Sequence, residues 1–249
     1  MALERRVYIR PALAITAVSQ LVADQLKSFF GRSDVLVVRN AVDTGYFNSR
    51  ARIARREAAR AAFAMAPGDF VFLLIGNDWK KKGLDLVLQA LSESTDFPFR
   101  LLVVGDDDRN PYLQRCEELE LGARVVFLPP SADVLQFYAA ADAYVGPSLE
   151  DAYGLPVLEA MACGLPVIAS KNAGVSEIIE DGLSGLLLSN PRDSRALAEL
   201  MKKLICDPGF AARLGAQGEK VADGESWDAA ATKMYEHLRQ VAAQKSRVT

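Results

Sequence analysis

Histidine is almost missing: the 249 residues contain one, His237. A lone histidine in a helical stretch near a terminus is a surface or packing group far more often than a general base. Cysteine is scarce as well. Cys116, Cys163 and Cys206 are widely spaced and odd in number, with no Cys-x-x-Cys and no neighbouring histidine, so neither a zinc site nor a disulfide framework is indicated. No apolar run reaches the length of a membrane span. Arg5, Arg6 and Arg10 precede a short apolar run from Ala12 to Val18, in the outline of a secretory leader. Gln20, Asp24 and Gln25 continue that run as an amphipathic helix, which points to a buried strand and helix and a cytoplasmic protein, peripheral to a membrane at most. An excess of charge is also lacking. The formal net charge is −3 and the pI about 5.4, without the basic footprint that nucleic acid requires. No Gly-x-Gly-x-x-Gly follows a strand, which disfavours a nicotinamide dehydrogenase.

What the chain has in quantity is apolar sequence, half of its residues, enough for one large domain, or one plus a fragment. Short apolar runs alternate with helical stretches. Strands are expected at Leu13–Val18, Val35–Val38, Val71–Gly76, Leu101–Gly105, Val125–Leu128, Ala143–Val145, Pro166–Ala169 and Leu186–Leu188. Helices are expected at Leu21–Phe30, Leu84–Leu91, Tyr112–Leu119, Val134–Ala140, Pro156–Cys163, Val175–Ile179 and Ser194–Asp207. Short buried strands separated by helices imply an α/β fold, a doubly wound, Rossmann-like parallel sheet that binds ligands at its strands' C-terminal ends. Arg50, Arg52, Arg55, Arg56 and Arg60 cluster between two apolar stretches. The reading taken is a solvated helix face, with contact to anionic lipid or phosphate as the alternative.

The most informative stretch runs from Gly146 to Ser170. An apolar strand leads into a loop carrying Glu150 and Asp151, then Tyr153, Gly154, Leu155 and Pro156. Proline suits the first turn of a helix, where its missing N–H costs nothing. A helix starting there presents unpaired N–H groups and a positive dipole end that suit a diphosphate, and Gly154 allows close backbone approach. Glu159 lies about one turn inside, where a carboxylate can accept paired hydrogen bonds from vicinal hydroxyls. Carboxylates flanking a helix start also serve as caps and dipole partners. On the other side of the expected site, Gly76-Asn77-Asp78-Trp79-Lys80-Lys81-Lys82-Gly83 joins a strand to a helix. That is where a doubly wound sheet contacts phosphate, although three lysines in a turn can equally be solvated.

The stretch containing Asp151 and Glu159 resembles the donor-site signature of GT-B glycosyltransferases of the family 4 type, two glutamates separated by seven residues. Asp151 stands at the first glutamate's position, so either Asp151 or Glu150 fills that role. The resemblance implies that this carboxylate and the backbone of Tyr153, Gly154 and Leu155 hold the transferred sugar, and that Glu159 holds the nucleotide ribose. It assigns the diphosphate to Lys82, with Gly76 beside it. Asn77 replaces the family's arginine, and Lys80 or Lys81 is a substitute cation. Val103-Val-Gly-Asp-Asp-Asp-Arg109 and Arg124-Val-Val-Phe-Leu128 are similar to the family's base-side segments, which brings in Gly105 and Val126. Asp106 to Asp108 read as a solvated turn or helix cap. Lys171 to Ile179 is similar to the stretch over the donor pocket, where Ser176 and Glu177 begin a helix.

The implied activity is a retaining hexosyltransferase, or its donor-binding part, moving a sugar from a nucleoside diphosphate sugar to a hydroxyl acceptor that is a glycan, a lipid or a small molecule. Asp151 and Lys82 are the catalytic candidates, and neither a cofactor nor a metal is expected. Val37 to Phe47 is similar to the family's crossing between its two domains, and Glu225 to Leu238 to its terminal helix. The expected organisation is thus a remnant of an acceptor-side domain at 1–40, a donor domain at 41–224 and a returning helix at 225–249. The chain would be the C-terminal half of a GT-B fold with most of the acceptor half missing. The alternative is a non-catalytic nucleotide-sugar-binding module, or a subunit whose partner chain supplies the acceptor domain.

Overall fold

The computed structural model describes residues 8–10, 14–93 and 98–245. The leader-like Arg5, Arg6 and Ala12, and Leu13 of the first expected strand, lie outside them. Six parallel strands form one sheet: β3 (Phe70–Ile75), β4 (Phe99–Val104), β5 (Val125–Leu128), β6 (Ala143–Gly146), β7 (Val167–Ser170) and β8 (Leu186–Leu188). Their order is β5-β4-β3-β6-β7-β8. The chain builds outward from β3 to one edge, then returns to add β6 on β3's other side. That reversal is the switch point at which doubly wound sheets form their ligand crevice.

Burial on both faces explains the unbroken apolar strands. In β3, Val71 and Leu73 join one core with α5 (Leu135–Ala140) and α6 (Leu155–Ala162), while Phe72 and Leu74 join the other. That second core contains α3 (Leu84–Ser92), α4 (Asn110–Glu118) and α7 (Ser194–Cys206). Helix starts follow local chemistry: Asn48 accepts from Ala51 N at 2.8 Å to open α2 (Ser49–Ala62), and Asp193 accepts from Ala196 N at 2.9 Å to open α7. The other elements are the small parallel sheet of β1 (Ile15–Ala17) and β2 (Val35–Val37) flanking α1 (Gln20–Phe30), and the final helices α8 (Pro208–Asp223) and α9 (Trp227–Lys245). Val42 N donates to Glu225 O at 3.0 Å, so the segments leaving β2 and entering α9 run side by side.

Three sequence expectations change. Val175–Ile179 is not an α-helix but a short 3-10 helix, Gly174–Ile178, tied down by Val175 N donating to Tyr153 O at 2.7 Å. Helix α8 was not anticipated; Gly209, Gly215 and Gly218 interrupt its pattern. The arginine cluster is indeed helical, as α2, but three of its five members are not solvated. Arg52 Nε donates to Cys163 O at 2.7 Å, and Arg56 and Arg60 both pair with Asp142, at 2.5 and 3.1 Å. Spacing four apart puts these three on one helix face, against the domain, while Arg50 and Arg55 stay exposed. Among the described residues no helix is long and apolar enough to cross a membrane.

Candidate functional site

The loops after β3 and β6 meet at the switch point. Leu149 N donates to Lys81 O at 2.8 Å, and a side chain at Gly83 would run into the Pro147 carbonyl. Gly83 caps α3 with φ of 80°, a left-handed conformation that glycine adopts without strain. Lys82, just before it, lies along Gly76 and brings its ammonium to 2.5 Å from Asp151 Oδ2. Asp151's other oxygen accepts from Tyr153 N at 3.1 Å. Lys82 and Asp151 side chains are only 22% and 15% exposed, so their attraction is less screened than at the open surface. Lys80 and Lys81 point to solvent. Of the three lysines, only Lys82 is turned inward.

Gly154, with φ of 98°, turns the chain into α6, and no side chain caps that helix start. The first N–H groups of a helix lack intrahelical partners, so α6 offers donors beside the Lys82–Asp151 pair, with Leu155 partly exposed at the mouth. One turn in, Glu159 Oε2 accepts from Tyr138 Oη at 2.6 Å. Burial raises the Glu159 carboxyl above its usual range, and Tyr138's donation partly offsets this. Tyr144, behind the pair, is also pushed up, chiefly by burial and further by the charges of Asp151 and Glu159.

Gly76, Lys82 and Asp151 thus meet at the switch-point crevice, with Gly154 and Leu155 opening α6 beside them and Glu159 one turn further in. Glu150 is exposed at the crevice rim, and it is Asp151 that meets Lys82. Tyr153's N–H is occupied by Asp151, its ring is buried, and the charges of Glu225, Arg39 and Glu177 act on its hydroxyl. Asn77 lies beside the crevice and fastens the neighbouring loop: its Oδ1 accepts from Asp106 N at 3.1 Å, next to Gly105. Asp107 likewise accepts from Trp79 N at 2.8 Å, and Asp108 from Asn110 N at 3.0 Å, so the acidic run forms turn and cap contacts. An open cleft of about 630 Å³ lies along this side, bounded by Asn77, Asp78, Lys80, Asp85, Asp107 and Tyr112. Val126 pairs with Leu102 inside β5, two residues short of the strand's end.

Three further groups carry weight here. Tyr138 holds Glu159. Ser19 Oγ donates to Ala152 O at 2.8 Å, and Glu177 accepts from Leu21 N at 2.8 Å, so the start of α1 is fastened over the carboxylate loop. Among the described residues no group of three His, Cys, Asp or Glu side chains is arranged to hold a metal ion.

A doubly wound sheet with a lysine–carboxylate pair at its switch point and two uncapped helix starts beside it has the layout of a sugar-nucleotide transferase domain. Residues 55–221 match the family of glycosyl transferases group 1, and the chain belongs to that family. It is 32% identical to a D-inositol 3-phosphate glycosyltransferase of Rhodococcus erythropolis over 206 residues, 78% of this chain and 46% of that protein. The chain spans about half the length of the curated relatives it matches. Among solved structures, sucrose-phosphate synthase from Thermosynechococcus elongatus superposes with a TM-score of 0.86 at 26% identity, covering 98% of this chain and 61% of that one. HepE from Anabaena, solved in complex with UDP-glucose, superposes with a TM-score of 0.82 at 26% identity, covering 91% and 64%. The fold is therefore an α/β, Rossmann-like part of a GT-B glycosyltransferase.

Proposed function

We propose that the crevice binds a nucleoside diphosphate sugar and that the chain supplies the donor half of a retaining hexosyltransferase. The observation that carries this reading is the meeting of Lys82 and Asp151 at 2.5 Å across the switch point. A bound diphosphate takes Lys82 as its counter-ion, which frees Asp151 to accept hydroxyls of the transferred sugar, while Glu159 takes the ribose. As the glycosidic bond breaks, positive charge develops on the sugar and negative charge on the departing diphosphate. Lys82 and the starts of α3 and α6 stabilise that leaving group without a metal. Retention of configuration follows from the family resemblance. The relatives' names make D-inositol 3-phosphate the first hydroxyl acceptor to test, and a cytoplasmic location suits the reading.

Calorimetric titration of the chain with UDP-glucose, GDP-mannose and ADP-glucose tests it: one of them should bind, and Lys82→Ala should weaken that binding. Absence of binding by all three would sink the reading. A second reading, a non-catalytic binding module or a subunit needing a partner chain, is favoured by α9, which exposes Trp227, Tyr235 and Leu238 at 57–62%. Transfer of the bound sugar to D-inositol 3-phosphate by the chain alone would eliminate it.

A further inference from the structure

Tyr138 has no part in the donor signature, and along the sequence it reads as one more apolar position of a short helix. Its side chain is nevertheless fixed from three directions. The ring is fully buried and meets the edge of Phe47 at 5.7 Å and 88°. The hydroxyl lies 2.6 Å from Glu159 Oε2 and 3.2 Å from the Pro156 carbonyl, both on the first turn and a half of α6.

A phenol has one proton. Against a carboxylate and a carbonyl at these distances, the shorter, charge-assisted bond to Glu159 takes it. We propose that Tyr138 is a positioning residue for ribose capture: by holding Oε2 of Glu159 it fixes the carboxylate's rotamer and leaves Oε1 to accept the ligand's hydroxyls. This rests on Glu159 being the ribose carboxylate. When Glu159 is protonated, the same three groups can rearrange, with the carboxyl donating to the tyrosine oxygen and the tyrosine donating to Pro156 O. The ligand-competent and ligand-incompetent states thus differ by one proton.

The groups that face this pair are few. Tyr144 of β6 lies 6.4 Å from the Tyr138 ring, and Asp151 acts on Tyr144 from the loop. Cys163 follows one turn along α6, its amide donating to Glu159 O, with Arg52 of α2 and Glu219 of α8 acting on its thiol. Burial raises Glu159 and Tyr138's hydrogen bond lowers it, so loss of the hydroxyl moves the carboxylate's titration to higher pH.

The test is affinity against pH from 5 to 9, measured with whichever of UDP-glucose, GDP-mannose and ADP-glucose binds the wild type; their diesterified phosphates do not titrate in this range. Wild-type affinity should rise by up to about tenfold per pH unit below the Glu159 midpoint and then level off, as binding to a single ionised group requires. In Tyr138→Phe the midpoint should move upward, and the plateau should stay several-fold lower because the carboxylate is no longer held. Glu159→Gln should be weak and flat. A merely structural tyrosine would lower the melting temperature and leave the pH midpoint unmoved, which overturns the proposal. If Glu159→Gln binds like wild type, the ribose assignment itself fails. Should Tyr138→Phe not fold, 19F spectra of 3-fluorotyrosine-labelled protein decide. One tyrosine resonance must titrate in wild type with the affinity midpoint and not in Glu159→Gln; if none does, the proposal is lost.

Discussion

Asp151 is one methylene shorter than the glutamate it replaces in the resemblance, yet its carboxylate still reaches Lys82, because the loops after β3 and β6 pack against one another at Gly83 and Pro147. A ligand phosphate and Asp151 then compete for a single ammonium, and substitutions on the two sides should act in opposite directions. Lys82→Ala should weaken binding of UDP by about 10- to 100-fold, the 1.5–3 kcal/mol of a charged hydrogen bond, and flatten its salt dependence. Asp151→Asn should strengthen UDP binding by about fivefold, as expected for loss of a competing pair worth about 1 kcal/mol, while removing any extra affinity for the sugar-bearing form. Calorimetry at two salt concentrations checks both; tighter binding in neither variant would show that the pair does not compete. Glu159 gives a pH prediction in the unliganded protein. Its carboxyl is raised above the ordinary 4.5 by burial, so between these values the folded state holds more proton than the unfolded one. Its contribution to stability is therefore highest below about pH 4.5 and declines as pH rises through the raised value. Glu159→Gln should remove that decline, giving a melting temperature that falls less than wild type between pH 4.5 and neutrality.

Among the elements, α2 and the crevice show where sequence reading succeeds and where it stops. Helix α2 lies outside the parallel sheet's alternation and, from composition, has the look of a charged surface helix, yet it fastens the body of the domain. Asp142 accepts from Arg56, Arg60 and Val71 N, and Arg60 also donates to Ala66 O and Asp69 O at 2.6 and 2.9 Å. Asp142→Ala leaves Arg60, whose side chain is 11% exposed, with its carbonyl partners but without its counter-charge. The expected loss is about 2–3 kcal/mol in urea unfolding, below the 3–5 of a fully buried broken pair because Arg56 stays part-solvated. An effect under about 0.5 kcal/mol would mean that the helix face is solvated after all. Strands such as Phe70–Ile75 were legible because a double-sided parallel strand admits little but apolar residues, and α6 because Gly154 and Pro156 mark its start. That the loops of Lys82 and Asp151 face each other followed from two strand-end loops and the switch-point rule, whereas their direct ion pair did not. Tyr138 and Arg60 were not legible: each is a polar atom at the tip of a long side chain in a helical pattern. What it reaches depends on residues 21 and 82 positions away, Glu159 and Asp142, which local periodicity cannot report.

At the scale of the whole molecule, the small β1-α1-β2 sheet shares no strand with the six-stranded sheet, so its position over the crevice depends on the packing of Val18 against the main core and on a few polar contacts. Ser19 Oγ reaches Ala152 O at 2.8 Å on the carboxylate loop. Glu177 takes Leu21 N at 2.8 Å with one oxygen and lies 3.6 Å from Arg39 with the other, and Arg39 lies 3.5 Å from Glu225 where the chain enters α9. A carboxylate at the start of α1 also complements that helix's dipole. Glu177 therefore links three parts: the unit over the site, the 3-10 turn beside Asp151, and the junction of the two crossing segments. Because the two sheets share no strand, the unit can open by local unfolding at less than the global cost. Glu177→Ala should leave Leu21 N without its acceptor and Arg39 with Glu225 alone, and lower the opening free energy of residues 15–37 by about 1–2 kcal/mol, the scale of a lost charge-assisted hydrogen bond. Hydrogen exchange reads this directly: amides of α1 and β2 should exchange roughly 5- to 30-fold faster, while those of β3, β4 and β6 keep wild-type protection. Uniform acceleration across both sheets would instead make the chain one cooperative unit, with Glu177 contributing to the whole fold rather than to closure over the crevice.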